Sequence, residues 1–189
     1  MNVIKNLFLV LLIFTASFLF SQVERIEKGN LVIEDIPEIP DRIVNKMLQY
    51  QNTRSASLQD WFPDGNKMLI STRFGETYQL HVIETAGGAR RQITFFKEPI
   101  DGATICPDPA RNGFLFTKDI GGNEFYQVFY YDIDKGNHEM LTDGVSRNGG
   151  FSWSNKGDKF IYYSTKRNGR DWDLLISDIN KPKEAKTIL

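Results

Sequence analysis

Three landmarks recur along this chain in one order and at nearly one interval. The first is a turn segment, read as WFPDGNKMLIST from Trp61 to Thr72, and its equivalent start points are Trp61, Ile105 and Trp153, which lie 44 and 48 residues apart. The second is a strand-like segment that starts at Gln79, Gln127 and Asp173, 48 and 46 residues apart. The third starts at Arg91, Glu139 and Lys186. A repeat of roughly 40 to 50 residues indicates one supersecondary unit whose copies bury their apolar faces against each other.

Each unit carries the signals of four short strands. Pro63-Asp64-Gly65 favours a tight turn, and the apolar run from Met68 to Ser71 favours a strand after it. A Gly-containing loop, a third strand, a Gly turn and a fourth strand follow, with the Gly turns around Gly87-Gly88 and Gly136. Four antiparallel strands in a unit of this length are typical of a β-propeller blade. A β-sandwich would also show short strands, but it has no reason to keep the same residue types at matching places in every unit.

We therefore predict an all-β fold, a partial β-propeller of about three four-stranded antiparallel blades. The repeat covers residues 54–189, and the predicted blades are about 54–98, 99–145 and 146–189. A closed propeller has typically about four to eight blades. We expect the chain to be a piece of a longer protein, with oligomerisation of a short protein as the alternative. An open wheel would leave apolar residues of the last blade without a partner sheet, and these are Phe160, Tyr162, Leu174 and Ile176.

The chain begins with a targeting signal. Lys5 gives a positive start, and the stretch from Leu7 to Phe20 is nearly all apolar. That stretch suits a signal-peptide core and is shorter than the roughly 20 residues that span a bilayer. Ser21 suits the position before a cut, so we predict a signal peptide at residues 1–21 and export to the periplasm or outside the cell. An uncleaved anchor is the alternative; after cleavage we expect no stable association with the membrane.

Residues 22–53 precede the repeat and form a predicted extended segment and a short helix. Pro37 and Pro40 favour an extended or irregular piece. Asp41 is suited to cap a helix from about Arg42 to Gln51. The apolar stripe of that helix is Ile43, Met47 and Leu48.

Charge and cysteine content narrow the function classes. Without residues 1–21, which hold Lys5 as their single charged residue, the net charge of −1 becomes −2. A nearly neutral chain argues against nucleic acid or an acidic membrane surface as a partner. Cys106 is the single cysteine, so an internal disulfide framework is excluded and burial must supply stability. Its neighbours Ile105 and Pro107 predict a packed thiol rather than a reactive one.

Three segments carry a family resemblance over roughly residues 40 to 180. They include STRFGETYQLH from Ser71, DIGGNEFYQ from Asp119 and FSWSNKGDKFIYYSTKRNGRDWDLLISDI from Phe151. In this order they resemble the N-terminal propeller of the prolyl oligopeptidase family of serine peptidases, in its acylaminoacyl-peptidase-like and dipeptidyl-aminopeptidase-like branches. The resemblance implies that an α/β-hydrolase domain of the same parent chain follows, that the propeller gates peptide substrates, and that a catalytic Ser, Asp and His in the hydrolase domain cleave them without a cofactor.

Catalytic groups of that kind are not predicted in this chain. The nearest match to the nucleophile elbow G-x-S-x-G is Gly150 to Ser154, which fails at its last position and enters a repeat strand. Ser152 is therefore interpreted as structural. His81 lies inside a predicted strand and His138 follows a turn, with no serine and carboxylate setting around either. The family's paired-glutamate motif is absent too, which argues against strict dipeptide release.

The remaining site candidates are loop residues and turns. Glu124 and Arg73 are predicted to face substrate, and Arg147 and Arg167 are weaker candidates of the same kind. The segment from Asp132 to Asn137 resembles the start of a calcium loop, but it lacks the distal ligands and reads as a hairpin turn. We predict no metal and no cofactor. The tryptophans are interpreted as packing between blades, and they are Trp61, Trp153 and Trp172.

Two functions of other classes compete with the gating propeller. One is a non-catalytic propeller of the periplasmic TolB type that binds protein partners, because that family shares the Pro-Asp-Gly blades. It is usually preceded by a separate α/β domain, and about 30 residues separate the signal from the first blade here. The other is a sensor or carbohydrate-binding propeller, for which the sequence has no positive feature.

Overall fold

The computed structural model describes residues 23–51 and 53–189, so the predicted signal peptide lies outside the described residues. These residues divide into two compact units on either side of the Val44–Asn45 bond. Strands account for 43% of the described residues, which also contain one short helix, and this confirms the predicted all-β class. Within the described residues, no helix has both the length and the apolar character that crossing a membrane requires.

The first unit contains a hairpin that the sequence analysis missed. Strand β1 (Arg25–Lys28) pairs antiparallel with β2 (Leu31–Glu34) across a turn in which Gly29 has a φ of 61°. The helix α1 (Asp41–Gln51) starts in this unit, as predicted. Asp41 lies inside its first turn rather than before it, and the amides of Ile43 and Val44 donate to the Pro40 carbonyl.

The second unit consists of three four-stranded antiparallel sheets, each formed by four strands consecutive in sequence. Blade 1 contains β3 (Ala56–Trp61), β4 (Met68–Thr72), β5 (Gln79–Ile83) and β6 (Arg91–Gln92). Blade 2 contains β7 (Gly102–Ile105), β8 (Gly113–Lys118), β9 (Gln127–Asp132) and β10 (Asn137–Met140). Blade 3 contains β11 (Asn148–Trp153), β12 (Lys159–Ser164), β13 (Asp173–Asp178) and β14 (Lys181–Thr187). The equivalent residues Trp61, Ile105 and Trp153 each end the first strand of a blade, as their spacing predicted.

Blade 2 is buried on both of its faces. All six residues of β8 are buried, and its apolar residues alternate between two clusters because successive side chains of a strand point to opposite faces. Phe114 and Phe116 pack with Leu69, Leu80 and other residues of blade 1. Leu115, with Val128 of β9, packs in turn against residues of blade 3, including Phe160, Tyr162 and Leu175. Burying a large apolar side chain fully contributes about 1.5–3 kcal/mol, so the two clusters hold three sheets together.

The prediction for the last blade was wrong for two of its four residues. Phe160 and Tyr162 are 1% and 3% exposed because they face blade 2. Leu174 and Ile176 are partly buried and lie on the other face, since Tyr162 pairs with Leu175 across β12 and β13. This register decides which residues of β12 and β13 share a face of the sheet, and the sequence of either strand alone does not reveal it.

Side chains of blade 1 bind amides on the free edge of β7. β7 pairs with β8 alone, so its other edge would leave backbone groups without partners. A β-bulge in β3 directs Asp60 toward that edge, where one carboxylate oxygen accepts from the Ile105 amide at 2.8 Å. Gln59 accepts from the Ala103 amide at 3.1 Å. Blade 3 contacts β7 as well, because the Trp153 indole N–H donates at 3.1 Å to the carbonyl of Thr104, which lies between these two edge residues.

Cys106 is packed between blades 2 and 3, as predicted. It is 1% exposed, and its Sγ lies 3.7 Å from the carbonyl oxygen of Gly157. Burial raises the pKa of the Cys106 thiol, so it stays protonated near neutral pH. Gly157 has a φ of +68°, and a Cβ there would lie 2.6 Å from Sγ, so this turn approaches the thiol as closely as glycine allows.

A buried glutamine at the start of the third strand anchors the link to the next blade. In blade 1 the Gln79 amide donates to the Phe96 and Glu98 carbonyls and accepts from the Phe96 amide. In blade 2 Gln127 is fully buried and makes five hydrogen bonds, to the Phe125 and Ser146 carbonyls and from Thr142, Gly144 and Asn148. Asp173 occupies the equivalent place in blade 3 and binds Arg167 at 2.8 Å instead.

Replacing Gln127 with Met should destabilise the protein without changing its volume much. The substitution leaves several buried donors and acceptors without partners, and each such group costs about 1–3 kcal/mol. We expect a loss of about 2–4 kcal/mol in the free energy of unfolding, measured by urea denaturation of the full chain. Gln92→Met is the control, because half-buried Gln92 makes one side-chain bond, to the Thr94 carbonyl. Equal losses in the two variants would contradict this role for Gln127.

Candidate interaction surface

The second unit has two ends that differ in chemistry. Neighbouring strands of a blade run in opposite directions, so connections leave the sheets alternately at one end and at the other. The loop end comprises the loops before the third strands and the connections between blades, at residues 73–78, 93–101, 119–126, 141–147 and 165–172, and residues 53–55 before β3. The turn end comprises the hairpin turns at residues 62–67, 84–90, 106–112, 133–136, 154–158 and 179–180.

All four candidate residues from the sequence lie at the loop end. Arg73 is half-buried, donates to the Gln51 carbonyl and lies over the Tyr78 ring. Glu124 is exposed and has a φ of 59°, an uncommon conformation for a residue with a side chain. Its amide donates to the Asp119 carboxylate at 3.0 Å, which holds the loop in this shape.

The two weaker candidates differ in their partners. Arg147 is exposed and lies over the Phe125 ring, 4.8 Å from its centroid. Arg167 forms an ion pair with Asp173 at 2.8 Å and a second with Asp171 at 3.6 Å. The pairing of Arg167 is internal to its own blade, so Arg147 offers the freer guanidinium.

Of the two ends of the sheets, the loop end exposes more large apolar side chains. Six lie in its loops: Phe74, Tyr78, Phe95, Ile120, Val145 and Trp172. Phe95 and Val145 are 77% and 75% exposed. Among the described residues, the turns of the turn end expose no large apolar side chain; the nearest is Trp61, on the last position of β3. Phe74 and Phe95 line one pocket, and exposed apolar side chains that adjoin each other on a folded protein are a candidate interaction site.

The interpretation of the tryptophans was correct for one of the three. Trp153 packs between blades, edge-on to Tyr130 and Phe160. Trp172 is 55% exposed at the loop end and Trp61 is 50% exposed. The sequence analysis missed the exposed apolar side chains of the loop end, because residue type alone does not distinguish a core aromatic from a surface aromatic. Their position in loops, outside the alternating strand pattern, was the available signal.

A buried ion pair fixes two segments of the loop end to each other. The Lys118 ammonium lies 3.2 Å from a carboxylate oxygen of Glu98, and the other oxygen accepts from the Gly121 amide. The ammonium also lies 5.3 Å and 5.4 Å from the ring centroids of Phe96 and Phe129. Connection 93–101 is thereby tied to loop 119–126, so the surface they form is held in one shape.

The histidines and Ser152 show no catalytic arrangement. The His81 ring is 1% exposed, contacts the Gln79 carbonyl through Nδ1 at 3.1 Å and packs on Phe74. Burial, with the nearby Arg90 charge, lowers the pKa of His81 despite that hydrogen bond. Across residues 23–51 and 53–189, no hydrogen bond joins Ser152 to either histidine, and no three His, Cys, Asp or Glu side chains gather as metal ligands.

Comparison with known proteins identifies the fold. No family model matches the chain, and no curated protein sequence matches it. Solved structures do match, and the TolB-like structure from Agrobacterium tumefaciens has 17% sequence identity and a TM-score of 0.59, with a match that covers 73% of this chain and 50% of that one. TolB from Acinetobacter baumannii has 19% identity and a TM-score of 0.56, and the match covers 71% of this chain and 32% of that one. An oligogalacturonate lyase from Vibrio parahaemolyticus has 18% identity and a TM-score of 0.55, and the match covers 72% of this chain and 40% of that one. The predicted β-propeller fold is confirmed.

The Glu98–Lys118 pair should make stability depend on pH in the acid range. Burial alone would raise the pKa of Glu98, but hydrogen bonds from the Gly121 amide and from Lys118 outweigh it and hold the pKa below its usual value of 4.5. The unfolded state therefore takes up the proton first, and the stabilisation is present above about pH 5 and lost as the pH falls through the folded-state pKa. We expect Glu98→Gln to destabilise the chain more at pH 7 than at pH 3 in urea denaturation. A difference from wild type that is the same at both pH values would contradict the assignment.

Proposed function

We propose that this chain is the propeller portion of an exported protein and that its loop end docks against a protein surface. The observation that carries the proposal is the placement of the six large exposed apolar side chains in the loops of one end. Aromatic residues are enriched in protein interfaces, and the fixed Glu98–Lys118 contact supplies a surface that needs little reordering to bind. The turn end exposes polar turns, so it is suited to face solvent while the loop end is docked.

The first candidate for the docked surface is an α/β-hydrolase domain of the same parent protein, an exported serine peptidase. The most specific segments of the family resemblance support it, because STRFGETYQLH and DIGGNEFYQ supply loops 73–78 and 119–126 of the loop end. In this proposal the propeller restricts which peptides reach the Ser, Asp and His of the hydrolase domain. Arg73 and Glu124 then face the entering peptide.

The second candidate is a separate protein partner, bound by a TolB-like propeller. Similarity to two structures described as TolB supports it at the level of the fold. Both candidates use the loop end for docking, and they differ in whether the docked surface belongs to the same polypeptide.

Hydroxyl-radical footprinting tests the docking itself. The native protein, isolated from the cells that express it, is compared with the purified 189-residue chain. We expect Phe95 and Trp172 to lose most of their labelling in the native protein, because a docked surface excludes water from them. Trp61 has a similar exposed fraction and lies toward the turn end, so it serves as the internal control. Equal labelling of Phe95 and Trp172 in the two samples would contradict docking at the loop end.

Sequencing the natural transcript beyond the codon for Leu189 and labelling the native protein with a fluorophosphonate distinguish the two candidates. The peptidase proposal expects an open frame that reaches a G-x-S-x-G segment, and one labelled serine in the native protein. The purified 189-residue chain should not be labelled. A frame that ends without such a segment would overturn the peptidase candidate and leave the separate partner.

A further inference from the structure

The loop end presents arginine side chains in one recurring geometry. Three exposed or half-exposed arginines each lie over an aromatic ring within the range of a cation–π contact. The pairs are Arg54 over Phe74 at 5.1 Å, Arg73 over Tyr78 at 5.8 Å and Arg147 over Phe125 at 4.8 Å. Phe74 and Tyr78 belong to the exposed apolar set, so charge and apolar surface are interleaved.

None of these three guanidinium groups has a carboxylate within 4.0 Å among the described residues. Residues 1–22 and residue 52 contain no Asp or Glu, so they cannot supply one. At the turn end three cations are paired with carboxylates: Lys67 with Asp64, Arg91 with Glu84 and Lys135 with Asp132. One arginine there, Arg111, also lies over a ring, that of Tyr130 at 5.9 Å, and its guanidinium donates to the Asn180 side chain at 3.1 Å.

Most carboxylates of the loop end are engaged by groups other than these arginines. Glu98 holds Lys118, Asp143 accepts from the Ser146 hydroxyl and amide, and Asp173 holds Arg167. Asp119 accepts from the amide of Glu124. Glu76, Asp101 and Glu124 remain without an ion pair, and none of them lies within 4.0 Å of the stacked arginines.

A guanidinium stacked on a ring is held in one plane while its N–H edge stays available. That edge matches a carboxylate, which it binds through two parallel hydrogen bonds. Stacking also reduces the side-chain entropy that binding would remove. Arg54 and Arg147 are therefore prepared to bind carboxylates of a partner, and Arg73, which donates to the Gln51 carbonyl, keeps the rest of its N–H edge for one.

We propose that the loop end recognises an acidic segment of its protein partner, in which Asp or Glu residues are interspersed with apolar ones. Arg54, Arg73 and Arg147 take the carboxylates, and Phe95 and Trp172 cover the apolar side chains. This inference rests on docking at the loop end and adds the chemistry of the docked surface.

Two fluorescent peptides of about 15 residues test the inference with the full chain. They share the same Leu and Phe residues and carry Glu or Lys at every other position. By fluorescence anisotropy we expect the Glu peptide to bind at least about tenfold more tightly than the Lys peptide, and to weaken about fivefold or more between roughly 0.05 M and 0.3 M salt. Equal binding of the two peptides, or no binding of the Glu peptide, would overturn the proposal.

Matched variants test which side chains bind the Glu peptide. The triple variant R54Q/R73Q/R147Q should weaken binding of the Glu peptide at least about tenfold, whereas K67Q/R91Q/K135Q, which removes the same charge from the turn end, should leave it within about twofold. R54K/R73K/R147K keeps the charge and loses the planar fork, so it should fall between wild type and the Gln variant. Unchanged binding in R54Q/R73Q/R147Q would overturn the role of the arginines.

A separate variant distinguishes this inference from docking itself. The variant F95S/W172S removes apolar surface without changing the charge, and it should weaken binding of the Glu peptide at least about fivefold. Loss of binding in F95S/W172S together with no effect in the arginine variants would overturn the acidic partner and leave docking at the loop end standing.

Discussion

Blade 2 is buried on both faces, and the arrangement of the other two blades depends on it. Residues of β8 and β9 alternate between two clusters, with Phe116 and Phe129 facing blade 1 and Leu115 and Val128 facing blade 3. A sheet with two apolar faces cannot be solvated on either, so it requires a sheet on each side. The free edge of β7 adds a second requirement, because Gln59 and Asp60 of blade 1 accept from its amides. Face and edge together place the three sheets in sequence order.

This packing places unlike chemistry at the two ends of the sheets. The hairpin turns are short, and some of their charges are paired locally, as Lys135 is with Asp132. The loops at the other end are longer and are tied by the buried glutamines and by the Glu98–Lys118 pair. A loop anchored at its base can expose Phe95 or Trp172 without collapsing onto them. Burial of the strand ends thus allows apolar and arginine side chains to be exposed where the loops meet.

Much of this fold could be predicted from the spacing of a few residues. Trp61, Ile105 and Trp153 marked the ends of three equivalent strands because each precedes a turn of the same kind. The face of the sheet on which each side chain lies could not be predicted in the same way, because it depends on the cross-strand register. Phe160 and Tyr162 were expected to lack a partner sheet and are buried.

The loop end was predicted only in part. Arg73 and Glu124 were singled out as loop residues, and the structure places both there, while the roles assigned to them remain predictions. Stacking of Arg54 on Phe74 joins residues from two separate loops, and no sequence pattern in either loop predicts that contact.

Amide hydrogen exchange of Ala103 and Ile105 tests the packing of the blades against each other most directly. Their amides face away from β8 and are bound by Gln59 and Asp60 of the adjacent blade, so they should be protected as strongly as amides inside the blade 2 ladder. Exchange of these two amides at the rate of an exposed edge, with the ladder of blade 2 still protected, would show that the blades do not pack as described.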